Sequence, residues 1–137
     1  MNTSTQPWRH HYPTGIDWNA SIGRQPLFET LEATANRSPD KTAIDFLDYC
    51  LTYGELLAQV KQAAKGLQEM GVTKGTRVGL CLPNTPYSVI CYYGALRAGA
   101  TVVNYNPLYV ERELAFQIDD SETEIMITMD LEVLYPK

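Results

Sequence analysis

Val78-Gly79-Leu80-Cys81-Leu82-Pro83-Asn84-Thr85-Pro86 decides the fold, together with the apolar run 87–98, Gly99 and Thr101-Val102-Val103-Asn104-Tyr105 that follow it. Residues 78–82 read as a compact apolar strand, and Pro83, with no N–H for a ladder, ends it. Thr85 is then expected as an N-cap, with Pro86 at the first helical position, where its missing N–H costs nothing. Residues 87–98 are apolar nearly all round, which predicts a deeply buried helix, and Gly99 closes it. The second apolar strand spans 101–105. Continuous apolar strands joined by a helix predict a right-handed crossover in a parallel sheet covered on both faces.

Upstream, Thr52-Tyr53-Gly54-Glu55 predicts a capping box. The Thr52 hydroxyl takes the N–H of Glu55, and the Glu55 carboxylate reaches back to the N–H of Thr52. Leu56, Val60, Ala63, Leu67 and Met70 follow on one helical face, and Gly71 is placed for the left-handed residue past its end. Before it, a strand is expected over 43–47, a tight turn at Asp48-Tyr49 and a short strand over 50–52. Leu27, Phe28, Leu31 and Ala35 predict a helix stopped at Ser38-Pro39-Asp40. Downstream, a short helix over 111–119 is expected to turn Leu114, Ala115 and Ile118 inward, with a strand over 125–128. Asp130 is positioned to cap one more helix. Residues 1–26 lack periodicity and read as a leader in which Trp8, Tyr12, Ile16 and Trp18 are available to pack onto something larger.

The chain has 137 residues, 45% hydrophobic and 20% charged, enough to bury a core. Its 11 basic and 16 acidic residues give a net charge of −5, which argues against nucleic acid as a partner. No apolar run reaches the ~18 residues of a membrane span, so any membrane contact would be peripheral. The first 25 residues contain no apolar stretch of the signal-peptide kind, so the three Asn-x-Ser sequons are read as chance. Cys50, Cys81 and Cys91 make neither a disulfide framework nor a zinc pattern and fit a reducing cytoplasm.

Catalytic signals are missing. No G-x-G-x-x-G follows a strand, and no G-x-S-x-G elbow occurs. Gly71 to Thr76 has lysine before glycine and a helix before rather than after it, so it is a helix-to-strand connection rather than a phosphate loop. His10-His11 point apart and lack a third ligand. Asp119, Asp120, Glu122 and Glu124 read as a solvated turn, and Tyr87, Tyr92 and Tyr93 as core or interface. No catalytic, cofactor-binding or metal-ligating residue is therefore assigned. Ligands of such folds meet the carboxyl ends of the strands, here Pro83-Asn84, Asn104 to Pro107 and Thr128. Asn84, Asn104, Asn106 and Pro107 are the candidate cleft-facing residues.

An ordered series of segments resembles the opening of the adenylate-forming acyl-CoA synthetases. It runs Thr52-Tyr53-Gly54-Glu55-Leu56, Gly71-Val72, Gly75-Thr76-Arg77-Val78, Leu82-Pro83-Asn84-Thr85-Pro86 and Gly94 to Ala100. Val103-Asn104-Tyr105-Asn106-Pro107-Leu108-Tyr109 with Arg112-Glu113-Leu114 is most similar to the bacterial long-chain fatty-acid–CoA ligases, and Pro7-Trp8 and Tyr12-Pro13 fit them too. The resemblance implies a parent that uses ATP and Mg²⁺ to convert a fatty acid into an acyl-adenylate and then passes the acyl group to CoA. It also implies a fold class: an α/β layered parallel-sheet subdomain with helices on both faces, an incomplete portion of the large N-terminal domain. Residues 27–137 would be the amino-terminal part of the adenylation domain. The family's phosphate loop, similar to T-S-G-T-T-G-x-P-K-G, does not occur, so the isolated chain is expected to be inactive and, with open apolar faces, to self-associate or form a homodimer. Two departures concern geometry: the hairpin turn lacks its usual glycine, and Val110-Glu111 stands in place of a frequent Thr-Pro. A self-contained flavodoxin-like binding or interaction module is the alternative from another class, and an aryl-CoA ligase the alternative within the superfamily.

Overall fold

The computed structural model describes residues 8 and 11–130. The order of elements is α1 (Leu27–Arg37), β1 (Thr42–Phe46), β2 (Tyr49–Thr52), α2 (Tyr53–Glu69), β3 (Arg77–Cys81), α3 (Pro86–Ala98), β4 (Thr101–Asn104), α4 (Glu111–Ser121) and β5 (Ile125–Thr128). This is the expected sequence of elements, with strand limits shifted by a residue or two. His10 and the helix expected after Asp130 lie outside the described residues.

β1 and β2 form an antiparallel hairpin with Phe46 opposite Tyr49, so its turn is Leu47-Asp48 and not Asp48-Tyr49. Both central residues are left-handed, at φ 49° and 65°. A two-residue hairpin turn demands that conformation to match strand twist, whether or not glycine is present. The expected capping box is there: Glu55 N–H donates to Thr52 Oγ1 at 3.2 Å and Thr52 N–H to Glu55 Oε2 at 2.9 Å. α2 buries Leu56, Leu57, Val60, Ala64 and Leu67. Met70 is 67% exposed because it lies past the last full turn. Gly71 is left-handed, and Val72 N–H returns to the Leu67 carbonyl at 3.0 Å. Gly99 after α3 and Glu122 after α4 repeat this ending, the latter without glycine's freedom.

β3 lies between β4 and β5, parallel to both. The chain steps from β3 to β4 in one direction and from β4 back past β3 to β5 in the other. Right-handed crossovers taken in opposite directions put their helices on opposite faces. Val78 and Leu80 accordingly join Ala64, Leu67, Ala95 and Ala98 in one core beneath α2 and α3. On the other face, Gly79 leaves room for Tyr105 and Met126: an added Cβ would sit 2.7 Å from the Tyr105 ring and 2.9 Å from Met126 Sδ. A second core links Leu31, Leu51, Leu56, Val60 and Ile90. Arg97 pairs with Glu32, holding α1 to α3.

Two burial expectations fail in part. α3 buries Pro86, Ile90, Gly94, Ala95 and Ala98, but Tyr87 is exposed and the remaining positions are only half-buried. α4 has no buried residue, and of its expected inward face only Leu114 is half-covered while Ala115 and Ile118 are exposed. α3 packs on α1, α2, β3 and β4, which leave the side carrying Tyr87 open, whereas no described element packs extensively on α4.

Candidate functional site

Loops leave the carboxyl ends of β3 and β4 toward opposite faces of the sheet, and a crevice opens where neighbouring strands diverge in this way. A cleft of about 740 Å³ lies there. Asn84, Asn104, Asn106 and Pro107 all line it. Asn84 and Asn106 are exposed at its mouth, and Pro107 is half-buried. Thr128, also at a strand end, lies apart, in an apolar groove with Ala63, Leu67 and Met70. It is separated because β5 sits on the far side of β3 from β4.

Each wall has a local cause. Pro83 ends β3, and the chain turns tightly, with Thr85 N–H donating to the Pro83 carbonyl at 2.8 Å. The predicted N-cap is only half realised. Thr85 has the extended backbone of a cap but its hydroxyl makes no cap bond, and Ser88 Oγ donates instead to the Thr85 carbonyl at 2.6 Å. After β4, Asn106 Oδ1 accepts from Leu108 N–H at 3.0 Å, and Tyr109 N–H reaches the Asn106 carbonyl at 3.0 Å. That is a β-turn with Asn first and Pro107 second, the residue types such a turn favours. Val110 has no oxygen with which to cap α4, so only the reciprocal half of a box remains, Val110 N–H to Glu113 Oε2 at 3.1 Å.

Tyr105 anchors the floor. It is buried, its ring lies over Gly79, and its hydroxyl meets Thr123 Oγ1 at 2.6 Å and Ser121 Oγ at 2.8 Å. Beside it, Gln117 Nε2 donates to the Asn104 carbonyl at 3.0 Å. α4 is thus tied to the strand end whose asparagines face the cleft. Tyr92 and Tyr93, read from the sequence as core or interface, are half-buried and also line the cleft, packed edge to face at 5.7 Å. The signal that finds them is spacing: Ser88 and Tyr92, like Val89 and Tyr93, stand four apart on the first turns of the helix that starts at the cleft.

Among the described residues no charged side chain lines the cleft; its polar groups are amides and hydroxyls. The acidic cluster lies at the other end of the sheet. There Glu122 pairs with Arg77 at 2.7 Å, and Glu124 Oε1 accepts from Arg77 N–H at 3.0 Å. Gly71 to Thr76 is at that end too, with Thr73 N–H donating to Thr76 Oγ1 at 3.1 Å, and serves as the connection between α2 and β3. Among the described residues no three His, Cys, Asp or Glu are grouped to hold a metal ion. All three thiols are free. Burial pushes those of Cys81 and Cys91 up, which disfavours the thiolate form.

The model of the AMP-binding enzymes matches residues 31–136. A long-chain fatty-acid–CoA ligase of Bacillus subtilis is 43% identical over 134 residues, which are 98% of this chain and 24% of that protein. A long-chain fatty-acid–CoA ligase of Salmonella typhimurium is 36% identical over 122 residues, 88% of this chain and 22% of that protein. Among solved structures, the N-terminal domain of FACL13 from Mycobacterium tuberculosis superposes with a TM-score of 0.73 at 29% identity, covering 77% of this chain and 27% of that one. The chain therefore spans about a quarter of the length of the relatives it matches.

Proposed function

The chain belongs to the AMP-binding enzyme family, and from that premise we propose that the intact protein is an ATP-dependent long-chain fatty-acid–CoA ligase. In this reading residues 27–137 form the amino-terminal α/β part of its adenylation domain and residues 1–26 a leader. The observation that carries it is the 43% identity to the Bacillus subtilis ligase across nearly the whole chain. The ordered series from Thr52 to Leu114 supports it segment by segment.

The chemistry of the family calls for ATP, Mg²⁺ and CoA, and the residues here do not fit the charged parts of that set. Among the described residues the cleft has no cation to meet phosphates and no metal-ligating cluster exists, and the sequence has no glycine-rich phosphate loop. Holding polyphosphate and metal is left to other parts of the intact protein, and the 137-residue chain alone is inactive. Its contribution is a neutral wall: Asn84, Asn104, Asn106 and Pro107 face the substrate cleft, and Tyr105 holds them in place. A cytoplasmic location belongs to the same proposal, supported by three unpaired thiols. Contact with a membrane would be peripheral, since no helix among the described residues is long and apolar enough to cross one.

The test is acyl-CoA formation by the intact protein with ATP, Mg²⁺, CoA and acids of graded chain length, beside aromatic acids. Long-chain fatty acids are expected to be used best. Preference for an aromatic acid would move the protein to an aryl-CoA ligase, and no adenylate formation with any carboxylic acid would overturn the reading.

A further inference from the structure

The peptide unit between Asn104 and Tyr105 is gripped from both sides. Its N–H, on Tyr105, donates to the Leu80 carbonyl of β3 at 2.9 Å, and its carbonyl, on Asn104, accepts from Gln117 Nε2 at 3.0 Å. The first bond is an ordinary rung of the parallel ladder. The second is not. Thr101 N–H bonds the Thr76 carbonyl, so by alternation the odd residues of β4 face β3 and the Asn104 carbonyl turns away from it. There a side chain of α4, 13 residues further along, stands where a ladder partner would. Residue type and spacing fit that task. A carbonyl needs a donor, which the glutamine amide supplies and a glutamate would lack. Gln117 and Ser121 stand four apart, on one face of α4, and Ser121 with Thr123 holds the Tyr105 hydroxyl. Two successive residues of the strand end are thus held from one side, Asn104 by its backbone and Tyr105 by its side chain. Both line the cleft, and Asn106, whose carboxamide sets the turn through Pro107, follows directly.

We propose that Gln117 is a positioning residue of the ligase: by holding the Asn104 carbonyl it sets the direction in which Asn104 and Asn106 present themselves to substrate. The proposal rests on the ligase reading and on the cleft as the place where substrate meets this part of the chain. Gln117 is not among the residues that line the cleft; it borders a separate groove with Tyr109 and Phe116. It therefore acts through the strand end. The peptide plane is rigid, so a unit held only at its N–H turns about its two flanking dihedrals, ψ of Asn104 and φ of Tyr105. Any such turn swings the chain that carries Asn106 and moves both carboxamides relative to Asn84 on the opposite wall.

The test compares the intact protein with its Gln117→Met and Gln117→Lys variants. Methionine keeps the length of the side chain and loses the donor; lysine keeps an N–H donor of similar reach. For acyl-CoA formation from a long-chain fatty acid, kcat/KM is expected to fall at least about fivefold in Gln117→Met, with circular dichroism unchanged, and to stay within about twofold of the wild type in Gln117→Lys. A merely structural role would follow side-chain bulk, and the two variants would then behave alike. Hydrogen exchange of residues 105–110 supplies a readout that needs no catalysis. It should be faster in Gln117→Met and as in the wild type in Gln117→Lys, with residues 77–81 unaltered in both. A wild-type protein that makes no acyl-CoA would overturn the ligase reading, and exchange alone would then decide whether Gln117 fixes the strand end. Gln117→Met with the kcat/KM or the 105–110 exchange of an active wild type overturns the proposal, as does an equal loss in both variants.

Discussion

Tyr105 shows how one side chain couples the sheet to the cleft. Its ring fills the space that Gly79 leaves open, and its hydroxyl joins Ser121 and Thr123. In Tyr105→Phe those two hydroxyls still bond each other at 2.8 Å, so the loss is expected to be that of one ordinary hydrogen bond, about 1 kcal/mol, read as a fall in Tm of about 4 °C. Unchanged stability would mean that α4 is held elsewhere. Glu55 gives a pH signature at the same scale. Hydrogen bonds from the Thr52 N–H and hydroxyl hold its carboxyl below the ordinary value. A folded value below the unfolded one means that the stabilisation is fully present above the unfolded pKa and is lost as pH falls through the folded one. Glu55→Gln, which removes the titrating carboxylate, should therefore flatten the acid limb of stability against pH, and a limb identical to the wild type's would refute the capping role.

At the scale of elements, α2 and α3 pack through a glycine. A Cβ at Gly94 would lie 2.8 Å from the Ala63 Cβ and 3.5 Å from the Val60 carbonyl. Gly94→Ala forces the helices apart and should cost about 1–3 kcal/mol, although alanine is the better helix former; a stabilised variant would show the contact to be loose. The hairpin runs the other way. Asn at 47 and Gly at 48 suit the left-handed conformations that Leu47 and Asp48 now hold, so Leu47→Asn with Asp48→Gly should stabilise by about 1 kcal/mol, measured by denaturant midpoint. Most elements were legible because their signals are local: the box at Thr52, the glycines at 71 and 99, the proline pair at 83 and 86. The turn was read one residue late because nothing in Leu47-Asp48-Tyr49 marks left-handed backbone; the register of paired strands imposes it. The exposure of α4 was illegible for a related reason, since a helical stripe says which side seeks cover and not what supplies it.

At the scale of the whole molecule, two crossovers in opposite directions set one cleft at the ends of β3 and β4. The strand-end rule points to Asn84, Asn104, Asn106 and Pro107, which line this cleft, and equally to Thr128, which does not. Tyr92 and Tyr93 read from the sequence as core or interface; their spacing from Ser88 and Val89 puts them on the same helical faces, and the packing of α3 on α2 turns those faces to the cleft. In the proposed ligase this cleft is where the chain meets substrate, and the absence of charged side chains from it among the described residues makes the proposal testable by adding one. The measurement is kcat/KM for acyl-CoA formation by intact Asn84→Asp and Asn104→Asp proteins, with Gln68→Glu on the outer side of α2 as the control of equal charge. Both cleft variants are expected to fall by more than about tenfold, over 1.4 kcal/mol of transition-state stabilisation, with the control unchanged. Cleft variants as active as the control would contradict the account and leave this part of the chain a scaffold.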